Sequence, residues 1–174
     1  MRKKMLIRKA EIKDLQSLLD IYNDEVENGV ATFDLHPKTM EQWEIWFSDH
    51  NIENHPLIVA EKDGKAVGYA SLSSYREKEA YRTTVELSLY VAAEYRRQGI
   101  AVELMTAILK LAREDDSVHT VVSVITGENE ASVRLHERFG FTFSGVLHEV
   151  GVKFGKYLDI VNYELQVGGN DGKV

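Results

Sequence analysis

Three places in the 174-residue chain carry residues whose types and spacing suit chemistry. The first is Arg96-Arg97-Gln98-Gly99-Ile100-Ala101, between an apolar strand pattern ending at Val91 and a helical pattern. A strand-to-helix junction presents unpaired backbone N–H groups and the positive end of the helix dipole. Gly99 lets backbone approach a ligand, Ala101 is small, and Arg96 and Arg97 add positive charge, a combination that suits a diphosphate. The same residues also read as a solvated basic turn. No Gly-Lys-Ser/Thr follows, which excludes a Walker loop, and the glycine count is wrong for a dinucleotide fingerprint.

The second place is the strand Thr84 to Val91. Its parity puts Glu86, Ser88 and Tyr90 on one face and Val85, Leu87, Leu89 and Val91 on the other. Glu86 is then either part of a solvated face or a carboxylate offered to a site. The third is His136, on a short helix from Ala131 to Phe139. Arg134, Glu137 and Arg138 surround it, so it reads as a surface histidine or as a proton carrier with a pKa near neutral. Asn129 precedes that helix and suits an N-cap. Tyr75 to Arg82 adds Arg76, Lys78 and Tyr81, cations and an aromatic. His119 fits a strand start, and His36, His50, His55 and His148 lack metal-ligand spacing.

The elements that must position these residues follow from periodicity. Leu6 to Arg8 begins a short strand. Ile12, Leu15, Leu18, Leu19 and Tyr22 recur at helical spacing, and Thr39 caps a second helix carrying Trp43, Trp46 and Phe47. Strands Pro56 to Glu61 and Ala66 to Leu72 flank the turn signal KDGK. Ala101, Leu104, Met105, Ile108 and Leu111 form one apolar helix face. Val118 to Ile125 is nearly continuously apolar, as a strand covered on both faces would be. Two more strands lie near Phe141 to Val150 and Leu158 to Leu165. The pattern predicts an α/β or α+β sandwich around one mixed sheet, a single domain over 1–167, and a frayed tail at 168–174.

Bulk composition narrows the chemistry. The chain has no cysteine, which excludes disulfides, thiolate metal sites and a cysteine nucleophile. Acyl transfer would therefore be direct or use another nucleophile. With 21 basic and 28 acidic residues the net charge is −7, which disfavours general nucleic-acid binding. No apolar run reaches membrane-spanning length, and the basic N-terminus lacks the long apolar stretch of a signal peptide. A cytoplasmic location is expected, with no metal, membrane or nucleic-acid partner.

RRQGIA resembles the acetyl-CoA motif of the GNAT N-acetyltransferase superfamily. NEASVRLHERFGF, Asn129 to Phe141, resembles its second block, in the expected order and context. IYNDEVENGVATFD, AYRTTVELSLYV and GVKFGKYLDI are similar to the phosphinothricin (methionine sulfoximine) acetyltransferase branch, from about Ile7 to Leu165. The resemblance implies a mixed, mainly antiparallel central sheet, helices on both faces, and a splayed strand pair holding acetyl-CoA. It implies that backbone groups of Leu89, Tyr90 and Val91 bind pantetheine and polarise the thioester. Arg96, Arg97, Gln98, Gly99, Ile100 and Ala101 would hold the diphosphate, and Asn129 would also touch the cofactor.

By the same resemblance Glu86 is the base, acting directly or through water. His136 stands where the wider superfamily often has a tyrosine that protonates the leaving thiolate. Arg76, Lys78 and Tyr81 would contact the acidic groups of the acceptor, and Phe33 would wall it. Lys78 departs from the usual arginine, and lysine lacks the planar fork. The implied reaction is acetylation of an amino-acid-like amine by direct attack, through a tetrahedral intermediate. The implied assembly is a homodimer through the strands around Gly151 to Asp159. Alternatives are another amine acceptor, such as a polyamine or a protein N-terminus, and a non-catalytic CoA-binding regulatory domain. The Arg76/Lys78 pair argues against polyamines. Glu86 and His136 in matching positions argue against a regulatory domain.

Overall fold

A computed structural model describes residues 5–168, so the expected tail beyond Gly168 lies outside the described residues. In chain order the elements are β1 (Leu6–Lys9), a 3₁₀ turn (Ile12–Asp14), α1 (Leu15–Asn28), α2 (Met40–Ser48), β2 (Leu57–Lys62), β3 (Lys65–Ser74), β4 (Thr84–Val91), α3 (Ile100–Glu114), β5 (Thr120–Thr126), α4 (Glu130–Arg138), β6 (Thr142–Lys153) and β7 (Lys156–Gln166).

Local chemistry explains the boundaries. Thr39 accepts the Gln42 N–H at 3.2 Å while the Gln42 side chain accepts the Thr39 N–H at 3.0 Å, a capping box that starts α2. Asp63 (φ 54°) and Gly64 (φ 79°) form the two-residue β2–β3 turn, the primed type whose twist matches its strands.

The seven strands run β1-β2-β3-β4-β5-β7-β6. Every neighbouring pair is antiparallel except β4–β5, which is parallel. The mixed, mainly antiparallel sheet expected from the motifs is therefore present. Side-chain alternation splits the core in two. Leu57, Val59 and Tyr69 pack with Leu15, Leu18 and Trp43 under α1 and α2. Ile58, Ala60, Val67 and Val121 pack with Leu104, Met105 and Ile108 on the α3 side, which Val133 and Leu135 of α4 also join.

Two expectations need correction. The buried stripe of α3 is Ile100, Leu104, Met105, Ile108, Leu109 and Ala112. Leu111 is 38% exposed, because the buried stripe runs on through Leu109 and Ala112 and leaves Leu111 at its edge. β5 is also not covered on both faces. Val124 is 39% exposed, because its side of β5 opens onto a cavity instead of a helix.

Candidate active site

β4 and β5 share only three rungs, Thr84↔Thr120, Val85↔Val121 and Glu86↔Val122. β4 then follows β3 to the Val91↔Gly68 pair, while β5 follows β7 to Thr126↔Ile160. The strands thus fork after Glu86. On the β5 side, the alternate N–H and C=O groups of Leu87 to Val91 have no ladder partner, and such groups need a ligand or water. A cavity of about 770 Å³ fills the fork. Its walls are the two strands, the loop Ala31 to Phe33, the start of α3 and the first turns of α4. Leu89, Tyr90 and Val91 all line it. Leu89 and Val91 pack into the α3-side core, and the Tyr90 ring lies against Tyr22 and Tyr69. Their side chains are occupied, so they present backbone to the gap.

The start of α3 has the donors a diphosphate needs. α2 and α4 have side-chain caps, from Thr39 and from Asn129, which accepts the Ser132 N–H at 3.2 Å. α3 has none: Gly99 stands at its N-cap with φ 81°, and its first N–H groups face the cavity wall. The two arginines differ. Arg96 pairs with Glu25 at 3.1 Å and donates to the Val91 carbonyl at 3.2 Å, bracing the end of β4 against α1. Arg97, at φ 60°, lines the cavity with no side-chain partner among the described residues. Gln98 turns away, accepting from Lys62 Nζ at 3.0 Å, and does not line the cavity. Ile100, Ala101 and Asn129 do. Uncapped N–H groups, a glycine and a free cation fit the anionic end of acetyl-CoA.

Glu86 lies at the fork, on the α1/α2 face with Ser88 and Tyr90. Its carboxylate has no hydrogen bond or ion pair among the described residues. Burial alone raises its pKa above the ordinary glutamate value. A desolvated carboxylate without partners is a stronger proton acceptor than one that is hydrogen-bonded.

His136 is not a surface histidine, being only 5% exposed. Its Nδ1 lies 2.7 Å from the Ser132 carbonyl oxygen, which only accepts, so Nδ1 carries the proton. Nε2 lies 2.8 Å from Ser123 Oγ and accepts its hydroxyl proton. Burial holds the ring pKa below the ordinary histidine value. Ser123 shares the parity of Val121 and Ile125, which pack on the α3 side. Glu86 and the Ser123–His136 pair therefore approach the fork from opposite faces of the sheet.

The expected acceptor residues separate. Phe33 lines the cavity, its ring against Gly151 of β6. Arg76, Lys78 and Tyr81 do not. The Arg76 guanidinium lies over the Tyr75 and Tyr81 rings at 5.0 and 5.5 Å. Arg76 and Lys78 line a separate cavity of about 490 Å³ with Glu53, Glu77 and Asp116. Cation–π contact with two rings is what holds the guanidinium there.

Several site residues had little or no sequence signal. Ser123 had one, a lone hydroxyl in an apolar strand. Lys153 had none. From β6 it donates to the Thr32 carbonyl at 2.9 Å, and Thr126 Oγ1 donates to the Val30 carbonyl, so two distant strands pin the Phe33 loop.

Known proteins resemble this chain over most of its length. Residues 15–141 match the Acetyltransferase (GNAT) family model. An L-methionine sulfoximine/L-methionine sulfone acetyltransferase of Pseudomonas aeruginosa is 38% identical over 162 residues, 92% of this chain and 94% of that one. A phosphinothricin acetyltransferase from Sinorhizobium meliloti, solved in complex with acetyl-CoA, superposes with a TM-score of 0.92 at 31% identity, covering 99% and 93% of the two chains. A ribosomal-protein-alanine N-acetyltransferase from Brucella melitensis superposes with a TM-score of 0.89 at 40% identity, covering 92% and 99%.

Proposed function

The chain belongs to the acetyltransferase (GNAT) family, and from that membership we propose that it moves acetyl from acetyl-CoA to the amine of a small amino-acid-like acceptor. Methionine sulfone, methionine sulfoximine and phosphinothricin are the model acceptors. The observation that carries the reading is the partnerless Glu86 carboxylate at the β4–β5 fork, where one strand offers free backbone to a thioester.

In this reading the α3 N-terminus and Arg97 hold the diphosphate. Unpaired N–H groups of β4 polarise the acetyl carbonyl and stabilise the oxyanion as it forms. Glu86 accepts one proton from the acceptor ammonium, directly or through water, and the neutral amine attacks the carbonyl carbon. The C–S bond then breaks, and the second proton lost by nitrogen ends on the thiol of CoA. Phe33 closes the acceptor side. His136 acts on the thiol side through Ser123. Without cysteine, no acyl-cysteine intermediate can form.

The 40% identity to a ribosomal-protein-alanine N-acetyltransferase favours a second reading, a peptide N-terminus as acceptor. A thiol-release assay with acetyl-CoA separates the two. The panel is methionine sulfone, methionine sulfoximine, phosphinothricin, spermidine and a peptide beginning with alanine. Turnover highest with the amino-acid analogues is expected. Preference for the peptide selects the second reading, and no turnover with any amine overturns both.

The same reading includes a homodimer. β6 is an edge strand, and the β6–β7 hairpin exposes Phe143, Leu147, Val150, Val152, Phe154 and Tyr157. An apolar edge of this length suits a second copy of the chain.

A further inference from the structure

The α2-facing side of β3 and β4 carries a polar row of which the transfer steps above use only Glu86. Its directly opposed cross-strand pairs are Tyr69/Tyr90, Ser71/Ser88 and Ser73/Glu86. Opposed residues share a face, with Cβ atoms about 4.5–5.5 Å apart. Ser73 is therefore the lateral neighbour of Glu86.

His50, just past α2 and 6% exposed, fixes the state of Ser73. Its Nδ1 lies 2.7 Å from the Trp46 carbonyl oxygen, so Nδ1 holds a proton. Burial lowers the ring pKa and keeps it neutral, which leaves a lone pair on Nε2. Ser73 Oγ, 2.7 Å from Nε2, must donate its only proton there. What Ser73 can still offer is lone pairs. Two residues along the same face, Ser71 is 1% exposed and its Oγ has no partner among the described residues. A buried hydroxyl in that state is costly unless a ligand or water meets it. Ser88, opposite Ser71, lines the fork cavity.

We propose that Ser73, held as an obligate hydrogen-bond acceptor by His50, forms with Ser71 and Glu86 the receptor for the ammonium group of the acceptor substrate. The proposal rests on the amine-acetylation reading and deepens it. An ammonium has three N–H donors, which a carboxylate and two hydroxyl oxygens can satisfy. After Glu86 removes one proton, the hydroxyls retain the other two N–H bonds and leave the nitrogen lone pair for the thioester. An alcohol, with one donor, would leave the row unsatisfied, so the row selects for amines. Ser73 is a specificity-determining residue and His50 a positioning residue.

The test compares the panel amine that the wild-type enzyme turns over fastest with its deaminated counterpart as a competitive inhibitor. For methionine sulfone the counterpart is 4-(methylsulfonyl)butanoate. Ser73→Ala should lower kcat/KM for the amine about tenfold, the size of one hydrogen bond to a charged group, and leave the Ki of the deaminated analogue unchanged. Ser73→Thr, which keeps the hydroxyl, should restore the amine. Equal losses for amine and analogue, or no loss, overturn the proposal. A second measurement does not depend on the acceptor. Imidazole ¹⁵N resonances of the free protein near neutral pH should show His50 protonated on Nδ1 and bare on Nε2. A protonated Nε2 overturns the proposal. If no amine is turned over, the functional reading fails, and the His50 resonances still decide whether Ser73 is an obligate acceptor.

Discussion

Glu86 and Val122 form the last rung that β4 and β5 share, and the two strands diverge immediately beyond them. The carboxylate thus sits where the ladder stops protecting backbone groups and a ligand must take over. In the proposed mechanism this placement fixes the distance between base and thioester, because both are set by the same few peptide units of β4. Orientation of this kind is a main source of catalytic rate.

Glu86→Gln keeps the shape and removes the basicity, so kcat should fall by about 10²–10⁴ with acetyl-CoA affinity unchanged. Raising the pH should partly rescue the variant by supplying free amine. A carboxylate base works only when ionised, so wild-type activity should be lost as pH falls through a Glu86 pKa that burial holds above the ordinary glutamate value. The stability effect has the opposite sign. A carboxyl with a raised folded-state pKa binds its proton more tightly when folded, so it destabilises the protein at pH values above that pKa. Glu86→Gln should therefore melt no lower than the wild type at neutral pH. A clear drop in Tm would show that the carboxylate stabilises the fold.

Gly99→Val should weaken acetyl-CoA binding about tenfold by calorimetry, since a left-handed residue with a branched side chain costs about 1–2 kcal/mol. A Cβ at Gly99 meets no protein atom within 4 Å, so no steric clash inside the fold opposes the substitution. The cost falls on the φ of 81° and on the ligand that this backbone faces. Unchanged affinity would remove the loop from the diphosphate site.

The sequence showed the fold through signals that act locally. Thr84 to Val91 was legible to the residue because its alternation is strict and no other element competes for it. Thr39 and Asn129 were legible as caps because capping depends on the next three residues alone. The extent of β5's exposure was not, since an apolar strand beside a cavity looks the same as one under a helix. His136 looked solvated because its helix neighbours are charged. Ser123, thirteen residues away, gives it a buried partner, and sequence spacing cannot show that contact. Lys153 reaches across 121 residues to the loop holding Phe33, so its role depends on tertiary structure alone.

That long reach makes Gly151 a sensitive position. A Cβ there would lie 2.3 Å from Cε2 of the Phe33 ring. Gly151→Ala should displace the ring, destabilise the fold by about 1–3 kcal/mol, and raise KM for the acceptor without changing acetyl-CoA affinity. Phe33→Ala should absorb the extra methyl, so the double variant should be no worse than Phe33→Ala alone. Additive losses in KM would mean that the two positions act separately.

Light scattering at micromolar concentration should report a dimer. Replacing exposed apolar residues of the β6–β7 hairpin with charge, as in Phe154→Glu with Tyr157→Glu, should yield a folded monomer. A wild-type monomer would remove the hairpin as an interface.

The final expectation concerns His136, whose ring nitrogens both have partners in the resting protein. A neutral imidazole whose one proton is bonded to the Ser132 carbonyl and whose Nε2 lone pair is taken by Ser123 has neither a free acid nor a free base to offer. Its expected action on the fork is to fix the Ser123 hydroxyl on the face opposite Glu86. If so, Ser123→Ala and His136→Phe interrupt one unit, and their effects on kcat should not add. Each should cost less than Glu86→Gln. His136→Phe also leaves the Ser123 hydroxyl buried without an acceptor, a loss of about 1–3 kcal/mol, so rates belong well below its melting temperature. Because burial lowers the His136 pKa, the wild-type kcat profile should show no limb from this histidine above pH 6.5. Additive losses in the double variant would give histidine a role independent of Ser123. Near-normal turnover in Glu86→Gln beside an inactive His136→Phe would make histidine the base and displace Glu86 from that role.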